Sequence, residues 1–240
     1  MLIISYIKKI LKWIVVAFFA STILSVIIYR FVPVFITPLM VIRVIDQMKA
    51  DKEVKMKHDW TPLEQMSPYM PVAVIASEDS RFLHHHGFDF EAIQKAAERN
   101  RKHPEKRVHG GSTISQQTAK NVFLWPGRTW LRKGLEVYFT TLIELLWSKH
   151  RIMEIYLNSI EMGDGIYGTE AVAREHFGCS AGELTRSQCA LIAATLPNPR
   201  QFSSKHPSKY MLKRQKKIMH EMKSVPLFPK EGEDLKEEKE

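Results

Sequence analysis

Residues 130–160, WLRKGLEVYFTTLIELLWSKHRIMEIYLNSI, indicate the class of the fold more clearly than any other stretch of the chain. Apolar side chains recur through them at intervals of three and four residues, which is the spacing of an α-helix. We expect two consecutive helices here. Because patterns that alternate as in a strand are few from about residue 60 onward, the sequence predicts a mainly α domain.

Two further helices are marked by their ends. In residues 88–102, FDFEAIQKAAERNRK, Asp89 is placed to cap the start of a helix. In residues 184–199, LTRSQCALIAATLPNP, we expect a helix that stops at Pro197, because proline cannot continue a helix.

The N-terminal segment is apolar enough to be a membrane anchor. No charged side chain lies between Trp13 and Tyr29, and a spanning helix needs roughly 17 to 25 residues. These two aromatic residues stand where interfacial aromatic side chains are found. A cleaved signal peptide is the alternative, but its apolar core would be shorter, and no small-residue cleavage site precedes Arg30. We therefore expect a retained transmembrane anchor at residues 13–36.

The charges that flank the anchor predict its orientation. Lys8, Lys9 and Lys12 precede the apolar core, and positive charge favours the cytoplasmic side of a membrane. Arg30 and Arg43 follow it and weaken this bias. The sequence predicts a single-pass protein of the cytoplasmic (inner) membrane, with its main domain on the outer, periplasmic face.

Composition divides the rest of the chain. We expect residues 1–12 to be a cytoplasmic N-terminus and residues 37–59 to be a charged stalk or linker. The main domain is predicted at residues 60–225. Residues 226–240 end in the charge run KEGEDLKEEKE and read as a disordered tail, because they hold too few apolar side chains to form a core.

The net charge narrows the class of partner. The chain has 35 Lys and Arg against 26 Asp and Glu, which gives a formal net charge of +9. Such an excess favours nucleic acid, a phospholipid surface or a phosphorylated substrate, although solvated surface cations would give the same number. The two cysteines, Cys179 and Cys189, match no disulfide framework and no metal-ligand spacing, and we expect two separate thiols unless the compartment is oxidising.

Residues 109–124, HGGSTISQQTAKNVFL, have the features of an anion site. Two adjacent glycines permit close approach of a ligand. Thr113 and Gln116 have the spacing of a capping box, so a helix is expected to begin at Thr113 with Gln117 and Lys120 on one face. Free amides at a helix start and a lysine two turns later suit an anion. An ordinary capped helix with an exposed lysine is the alternative.

Residues 127–136, GRTWLRKGLE, place the cations Arg128, Arg132 and Lys133 before Glu136. The separation of four residues between Arg132 and Glu136 suits an ion pair on a helix surface, worth roughly 0.3 kcal/mol. Alternatively, Glu136 lies in a mostly buried helix and gathers several cations around it.

Residues 76–90, ASEDSRFLHHHGFDF, hold a second acidic site. Glu78 follows an apolar run, and half-burial against Phe82 would raise the pKa of its carboxyl, which suits a general base. A solvated acidic turn is the alternative. Three adjacent histidines point in different directions on a helix or strand, so we do not expect them to share a metal ion.

Together these stretches resemble, in order, the five motifs of the peptidoglycan glycosyltransferases, glycosyltransferase family 51. EDSRFLHHHG fits the first motif, E-D-x-x-F-x-x-H-x-G, and the others are GGSTISQQTAKN, RKGLE, RIMEIYLNSIEMGDGIYGTEAVAREHFG and LTRSQCALIAATLPNP. The matches span about residues 60–202. His176 departs from the family, which usually has an aromatic residue before Phe177, and we expect an effect on packing only. With no transpeptidase domain following, the chain resembles the monofunctional, membrane-anchored members.

The resemblance implies a lysozyme-like, two-lobed, mainly helical fold and a specific activity. Members polymerise lipid II, an undecaprenyl-diphosphate-linked disaccharide pentapeptide, into linear glycan strands by inverting transfer, and undecaprenyl diphosphate is released. The implied partners are lipid II, the growing strand, membrane phospholipid, and proteins of cell-wall synthesis or division, but not nucleic acid. A divalent cation (Mg or Mn) near the diphosphate is the only cofactor that it suggests.

The resemblance also assigns roles by motif position. Glu78 is expected to be the general base and Glu136 a second essential carboxylate, which could orient cations, help bind a divalent ion or assist at the sugar. The residues expected to bind substrate are Thr113, Gln117, Lys120, Asn121, Arg128, Arg132 and Lys133. The residues expected to support the site are Asp79, Phe82, His85, Gly111, Ser112, Glu154, Tyr156 and Asn158.

Three alternatives stay open at the level of sequence. Trp125, Pro126 and Trp130, with Phe123 and Leu124, are either core residues or a loop that dips into the membrane. A lysozyme-like enzyme that cleaves glycan would need a protonated acid and no cation cluster, so the cluster favours synthesis. A non-catalytic scaffold that binds lipid II would not need both glutamates.

Overall fold

The computed structural model describes residues 2–105, 110–127, 129–230 and 232, and within them the chain is predominantly helical. The predicted mainly α class is confirmed. The described part of the chain forms ten α-helices: α1 Leu2–Tyr29, α2 Pro38–Lys49, α3 Tyr69–Glu78, α4 Phe90–Lys102, α5 Ile114–Phe123, α6 Trp130–Leu146, α7 Lys149–Ser159, α8 Thr169–Phe177, α9 Arg186–Ala193 and α10 Lys209–Glu221. Its three short strands are β1 Lys57–His58, β2 Glu161–Gly163 and β3 Ile166–Tyr167.

The chain forms two compact units, one up to Pro33 and the other from Val34 onward. The first unit contains α1, whose 28 residues reach about 42 Å at 1.5 Å per residue. Its stretch Ile4–Tyr29 is long and apolar enough to cross a membrane. The helix begins well before residue 13 and ends at Tyr29, so its bounds differ from the predicted anchor at both ends.

Helix α3 lies in the core of the second unit. Its side chains from Met70 to Ile75 are buried on every face, because the helix carries no polar stripe. It packs against α9 and α10. The helix ends at Glu78, and this position brings a carboxylate to the edge of the core.

Helices α5, α6 and α7 form the other main packing group. Helix α5 packs against both α6 and α7, and the rings of Phe123 and Phe139 stack with their centroids 4.6 Å apart. The prediction of two helices in residues 130–160 is confirmed. The chain breaks after Leu146, and Ser148 caps α7 by accepting a hydrogen bond from the Arg151 amide at 3.1 Å.

The predicted stalk contains α2 and β1, and both pack within the second unit. Strand β3 lies between β1, which is parallel to it, and β2, which is antiparallel, with Lys57 opposite Ile166 and His58 opposite Tyr167. Helix α2 packs against α5. Residues 37–59 are therefore part of the compact unit that holds the main domain.

The predicted helix ends are mostly reproduced. Asp89 caps α4, where its Oδ1 accepts from the Ala92 amide at 2.9 Å. Helix α9 ends at Ala193, before the predicted stop at Pro197, because the chain tightens there: the amide of Thr195 bonds to the carbonyl of Ile192 three residues earlier.

The cysteines match the prediction from the sequence, whereas the C-terminal segment differs from it. Cys179 and Cys189 are free thiols, as expected. Phe228, in the predicted tail, stacks on Phe82 with ring centroids 6.3 Å apart, so packed structure continues beyond the predicted start of the tail. Residues 231 and 233–240 of that tail lie outside the described residues.

Substitution of Gly168 by alanine should destabilise the fold. Gly168 has φ +82°, and an added Cβ would lie 2.6 Å from the backbone oxygen of Asn158. We expect the free energy of unfolding to fall by about 1–3 kcal/mol, the usual range for a strained backbone position. Thermal unfolding of the full chain in detergent, followed by circular dichroism, measures the change.

The matched control is Gly134→Ala. Gly134 lies within α6, and an added Cβ would meet no atom within 4 Å. Alanine should stabilise this helix position by about 0.5–1 kcal/mol. Equal unfolding temperatures for the two variants would contradict the role given to Gly168.

Candidate active site

Glu78 lies at the C-terminal end of α3 with only 15% of its side chain exposed. Its Oε1 accepts from Ser77 Oγ at 3.0 Å and lies 3.5 Å from Arg214 Nη2. Its Oε2 accepts from Gln117 Nε2 at 3.3 Å. Burial raises the pKa of the Glu78 carboxyl, although these hydrogen bonds and the positive charges of Arg214 and Lys120 act in the opposite direction. The carboxylate is therefore poised to accept a proton.

Asp79 ties the first motif to the start of α5. Both of its carboxylate oxygens lie 3.0 Å from His85 Nε2, and its Oδ2 accepts from the Ile114 amide at 3.0 Å. The predicted capping box of Thr113 and Gln116 is present. The expectation of free amides at this helix start is wrong, because the Asp79 carboxylate already occupies the position of an anion there.

Thr113 and His85 are held by the protein itself. The Thr113 hydroxyl is buried, donates to the Gly87 carbonyl at 2.7 Å and accepts from the Gln116 amide at 3.2 Å. A contact between Thr113 and substrate stays a prediction. His85 is buried while His84 and His86 are exposed, so the three imidazoles do not face one site.

Phe82 anchors the first-motif segment in the core. It is fully buried, and Lys149 Nζ lies 4.5 Å from the centroid of its ring. Glu144 accepts from Lys149 Nζ at 2.8 Å and also from the hydroxyl of Ser115 in α5. These contacts fix the loop that follows Glu78 against α5 and α6.

The cation cluster is built around Glu136 in α6. Only 3% of Glu136 is exposed, and its Oε2 accepts from Arg132 Nη1 at 2.5 Å. Its Oε1 accepts from Lys133 Nζ. The ion pair expected from the spacing is thus present, but it is buried and not on the helix surface. Burial lowers the pKa of Lys120; Glu136 opposes this shift, while Arg132 and Lys133 reinforce it.

Two cavities flank the contact between Glu78 and Gln117. The smaller one, about 180 Å³, is lined by residues that include Glu78, Asp79, Gly111, Ser112 and Thr113. The larger one, about 410 Å³, is lined by polar residues Gln117, Lys120, Asn121, Arg43 and Glu161 and by apolar residues that include Leu39, Leu124, Trp125, Leu196 and Pro197. Gln117 bonds to Glu78 and lines the larger cavity, so it connects the two.

Tyr156, from the fourth motif, fixes the orientation of Gln117. Its hydroxyl donates to Gln117 Oε1 at 3.2 Å, which leaves the Gln117 amide group to donate to Glu78. Burial raises the pKa of Tyr156, and the nearby Glu78 charge adds to this, so the phenol remains a donor.

Asn158 and Glu154 bind the backbone of residues 61–63, where the chain enters the main domain. Asn158 accepts from the Thr61 amide and donates to the Thr61 carbonyl, both at 2.9 Å. Glu154 accepts from the Leu63 amide at 3.4 Å and pairs with Arg151. The structure places both residues in supporting positions.

The aromatic stretch between the second and third motifs divides into two groups. Phe123 stacks on Phe139 and Leu124 is buried, so both belong to the core. Trp125 is 38% exposed and Trp130 is 92% exposed. A membrane-dipping role for the two tryptophans stays a hypothesis.

The sequence did not predict every polar residue that contacts Glu78 or lines the larger cavity, and one predicted residue lies outside the described residues. Ser77 and Arg214 contact Glu78, while Arg43 and Glu161 line the larger cavity. Arg214 is one of several cations on α10, and no local pattern distinguishes it from its neighbours. Arg128 lies outside the described residues.

Comparisons with known proteins identify the family of the chain. Residues 43–223 match the family model described as Transglycosylase. The chain is 60% identical over 226 residues to the biosynthetic peptidoglycan transglycosylase of Bacteroides thetaiotaomicron, an alignment that covers 93% of this chain and 90% of that protein. It is 53% identical over 222 residues to the protein of the same name from Bdellovibrio bacteriovorus, covering 91% and 87%. The corresponding Caulobacter vibrioides protein is 51% identical over 217 residues, covering 89% and 91%.

Asp79→Asn should weaken the fold around the first motif. Asparagine cannot supply two charged acceptor oxygens to His85 and the Ile114 amide, and hydrogen bonds to charged groups are worth about 1.5–3 kcal/mol. We expect a loss of unfolding free energy in that range, measured by thermal unfolding in detergent. Asp164→Asn is the control, since Asp164 is 61% exposed and makes only a 3.7 Å ion pair with Arg200. If both variants unfold at the wild-type temperature, the role given to Asp79 is wrong.

Proposed function

Since the chain belongs to the transglycosylase family and is a glycosyltransferase of peptidoglycan synthesis, we propose that it polymerises lipid II into linear glycan strands with release of undecaprenyl diphosphate. The observation that carries this proposal is the linkage of a buried carboxylate to a buried cation. Gln117 bonds to Glu78 and lies one helical turn before Lys120, and both α5 residues line one cavity.

Glu78 is the proposed general base. The attacking group is a sugar hydroxyl, which is a poor nucleophile until a base removes its proton as the new bond forms. A buried carboxylate with a raised pKa binds that proton more strongly than a solvated one. Ser77, Gln117 and Arg214 hold the carboxylate in one orientation while leaving it 15% exposed.

Lys120 is the proposed partner of the leaving group. Diphosphate departs without protonation, so the site needs positive charge where negative charge accumulates. The positive charge of Lys120 is disfavoured by burial and by the nearby Arg132 and Lys133. An anionic ligand would relieve both penalties, and Asn121 lies in the same wall to donate a hydrogen bond.

Glu136 is proposed to position the cations. Both of its oxygens are engaged by Arg132 and Lys133, so it does not fit the role of a free metal ligand. Among the described residues there is no group of three or more His, Cys, Asp or Glu side chains that could hold a metal ion. The described residues therefore offer no preformed cage for the Mg or Mn ion that the sequence suggested.

The cellular setting belongs to the same proposal. Helix α1 would anchor the protein in the cytoplasmic membrane with its N-terminal lysines inside, and the second unit would work on the outer face. Lipid II is delivered in that membrane, so substrate and enzyme would share one surface. Other proteins of wall synthesis or division remain candidate partners.

Glu78→Gln tests the central assignment. The amide cannot accept the hydroxyl proton, so we expect polymer formation from lipid II to fall by about a hundredfold or more while the unfolding temperature is retained. The assay follows loss of lipid II and appearance of polymer, using the full chain in detergent. The control is Glu98→Gln, an exposed carboxylate of α4, which should polymerise like wild type.

Two outcomes would contradict the proposal in different ways. Wild-type polymerisation by Glu78→Gln would remove Glu78 as the base. Failure of the wild-type chain to polymerise lipid II, together with shortening of preformed glycan, would replace the synthase by a glycan-cleaving enzyme.

Arg214→Gln should shift the pH dependence of polymerisation. The Arg214 charge lowers the pKa of Glu78, so its removal lets burial raise that pKa further. A base acts when deprotonated; the acidic limb of the kcat/KM profile should therefore move to higher pH. Lys217→Gln, a 75% exposed position on the same helix, should leave the limb in place. An acidic limb that stays fixed or moves to lower pH in Arg214→Gln would contradict the electrostatic link.

A further inference from the structure

We propose that Arg43 of α2 is a substrate-binding residue, whose guanidinium contacts an oxygen of the substrate diphosphate in the larger cavity, and that Glu161 positions it. The inference rests on the proposed function, because it takes lipid II as the substrate. It adds to the α5 and α6 cations a residue from outside the recognised motifs.

The placement of Arg43 gives it access to the site. Helix α2 packs against α5, and Arg43 lines the same 410 Å³ cavity as Gln117 and Lys120. From the sequence, this helix is expected to belong to a stalk, and Arg43 bears only on membrane orientation. In the structure the helix is one wall of the candidate active site.

The guanidinium has donors that the protein does not use well. Arg43 Nε lies 3.5 Å from Glu161 Oε2, and Nη1 lies 3.8 Å from Asp46 Oδ2, distances at which charges attract but hydrogen bonds are weak. Nε is buried and makes no hydrogen bond to any described residue. A guanidinium offers five N–H donors in a planar fork, which suits phosphate oxygens. Arg43 can thus bind an anion without first breaking a strong contact.

Glu161 explains why the guanidinium stays at the cavity wall. Only 4% of Glu161 is exposed, and its Oε1 accepts from the Gly165 amide at 3.5 Å. This carboxylate sits on β2, which is fixed by its pairing with β3. Its charge would hold Arg43 beside the cavity in the absence of ligand.

Two cations face the larger cavity. Lys120 lines it from α5 and Arg43 from α2, and Glu161 is the carboxylate among its lining residues. A diphosphate diester carries one negative charge on each phosphorus, so a second cation beside Lys120 suits its second phosphate.

A purely structural ion pair is the competing explanation, and two variants separate it from the proposal. Arg43→Ala removes the ligand contact, so we expect the KM for lipid II to rise about tenfold or more with a smaller change in kcat, because a contact made equally in ground and transition states affects binding. Glu161→Gln leaves Arg43 charged but removes the carboxylate that positions it, so its KM should rise by a smaller factor, about two- to threefold. A purely structural pair predicts that both variants lower the unfolding temperature and leave KM at the wild-type value.

A binding measurement supports the kinetics without turnover. Farnesyl diphosphate, a short prenyl diphosphate, serves as the probe in isothermal titration with the full chain in detergent. We expect Arg43→Ala to weaken its binding about tenfold, Arg43→Lys to weaken it less because the charge remains, and Glu161→Gln to weaken it less than Arg43→Ala because Arg43 is retained.

Arg174→Ala is the matched control. Arg174 pairs with the buried Glu170 at 2.6 Å, as Arg43 pairs with Glu161, but it lines neither cavity described above. Its KM and its affinity for the probe should be those of wild type. Thermal unfolding checks each variant, and Arg43→Lys carries the test if Arg43→Ala does not fold.

The outcomes distinguish this inference from the proposed function. A wild-type KM and probe affinity in Arg43→Ala, or a larger loss in Glu161→Gln than in Arg43→Ala, overturns the role of Arg43 while polymerisation itself stands. If the wild-type chain does not polymerise lipid II, the proposed function fails, and the substrate role of Arg43 fails with it even if the probe still binds.

Discussion

The site depends on the Asp79 carboxylate, which bonds to His85 and to the Ile114 amide. This one group connects the end of α3 to the start of α5, two helices that pack against different neighbours. Because Glu78 precedes Asp79, fixing Asp79 also fixes the Glu78 carboxylate, and because Gln117 and Lys120 follow Ile114 on one helix, their distance from that carboxylate is fixed as well. Together with the hydrogen bond from Gln117 to Glu78, this link brings the carboxylate and the cations of differently packed helices into one site.

The electrostatic design places charges of both signs where water solvates them poorly. Burial raises the pKa of Glu78 and lowers that of Lys120, so the protein disfavours both charged forms. Each is then receptive to what the proposed substrate brings, a proton from the hydroxyl to Glu78 and a diphosphate to Lys120. Buried charged groups of this kind lower the stability of the fold. They are found mainly at functional sites, because the function requires their shifted pKa values. The buried contacts of Phe82 and Tyr156 provide the rigid surroundings that they need.

The sequence predicted the features that depend on interactions between residues close together in the chain. The two helices of residues 130–160, the Asp89 cap and the Thr113 capping box follow from side-chain spacing and hydrogen bonds within a few residues. Glu78 and the cation cluster were singled out from local charge patterns and were given roles by motif resemblance, while burial of the pair between Arg132 and Glu136 depends on the helices packed around it. Arg214, Arg43 and Glu161 lie on elements far apart in the chain, and no spacing rule relates an α2 or α10 side chain to α3. The expectation of free amides at the start of α5 failed for the same reason, since Asp79, which accepts from the Ile114 amide, comes from another segment.

The larger cavity is amphiphilic, and this bears on which ligand it suits. Its polar side carries Lys120, while its apolar side includes Leu39, Leu124 and Leu196. A glycan is hydroxylated along its whole length and would leave such aliphatic surface in contact with polar groups. A prenyl diphosphate has a doubly charged head followed by a hydrocarbon chain, so it can satisfy both sides at once. The combination of cations and aliphatic side chains in one cavity therefore supports a lipid-linked donor over a glycan that is only to be cleaved.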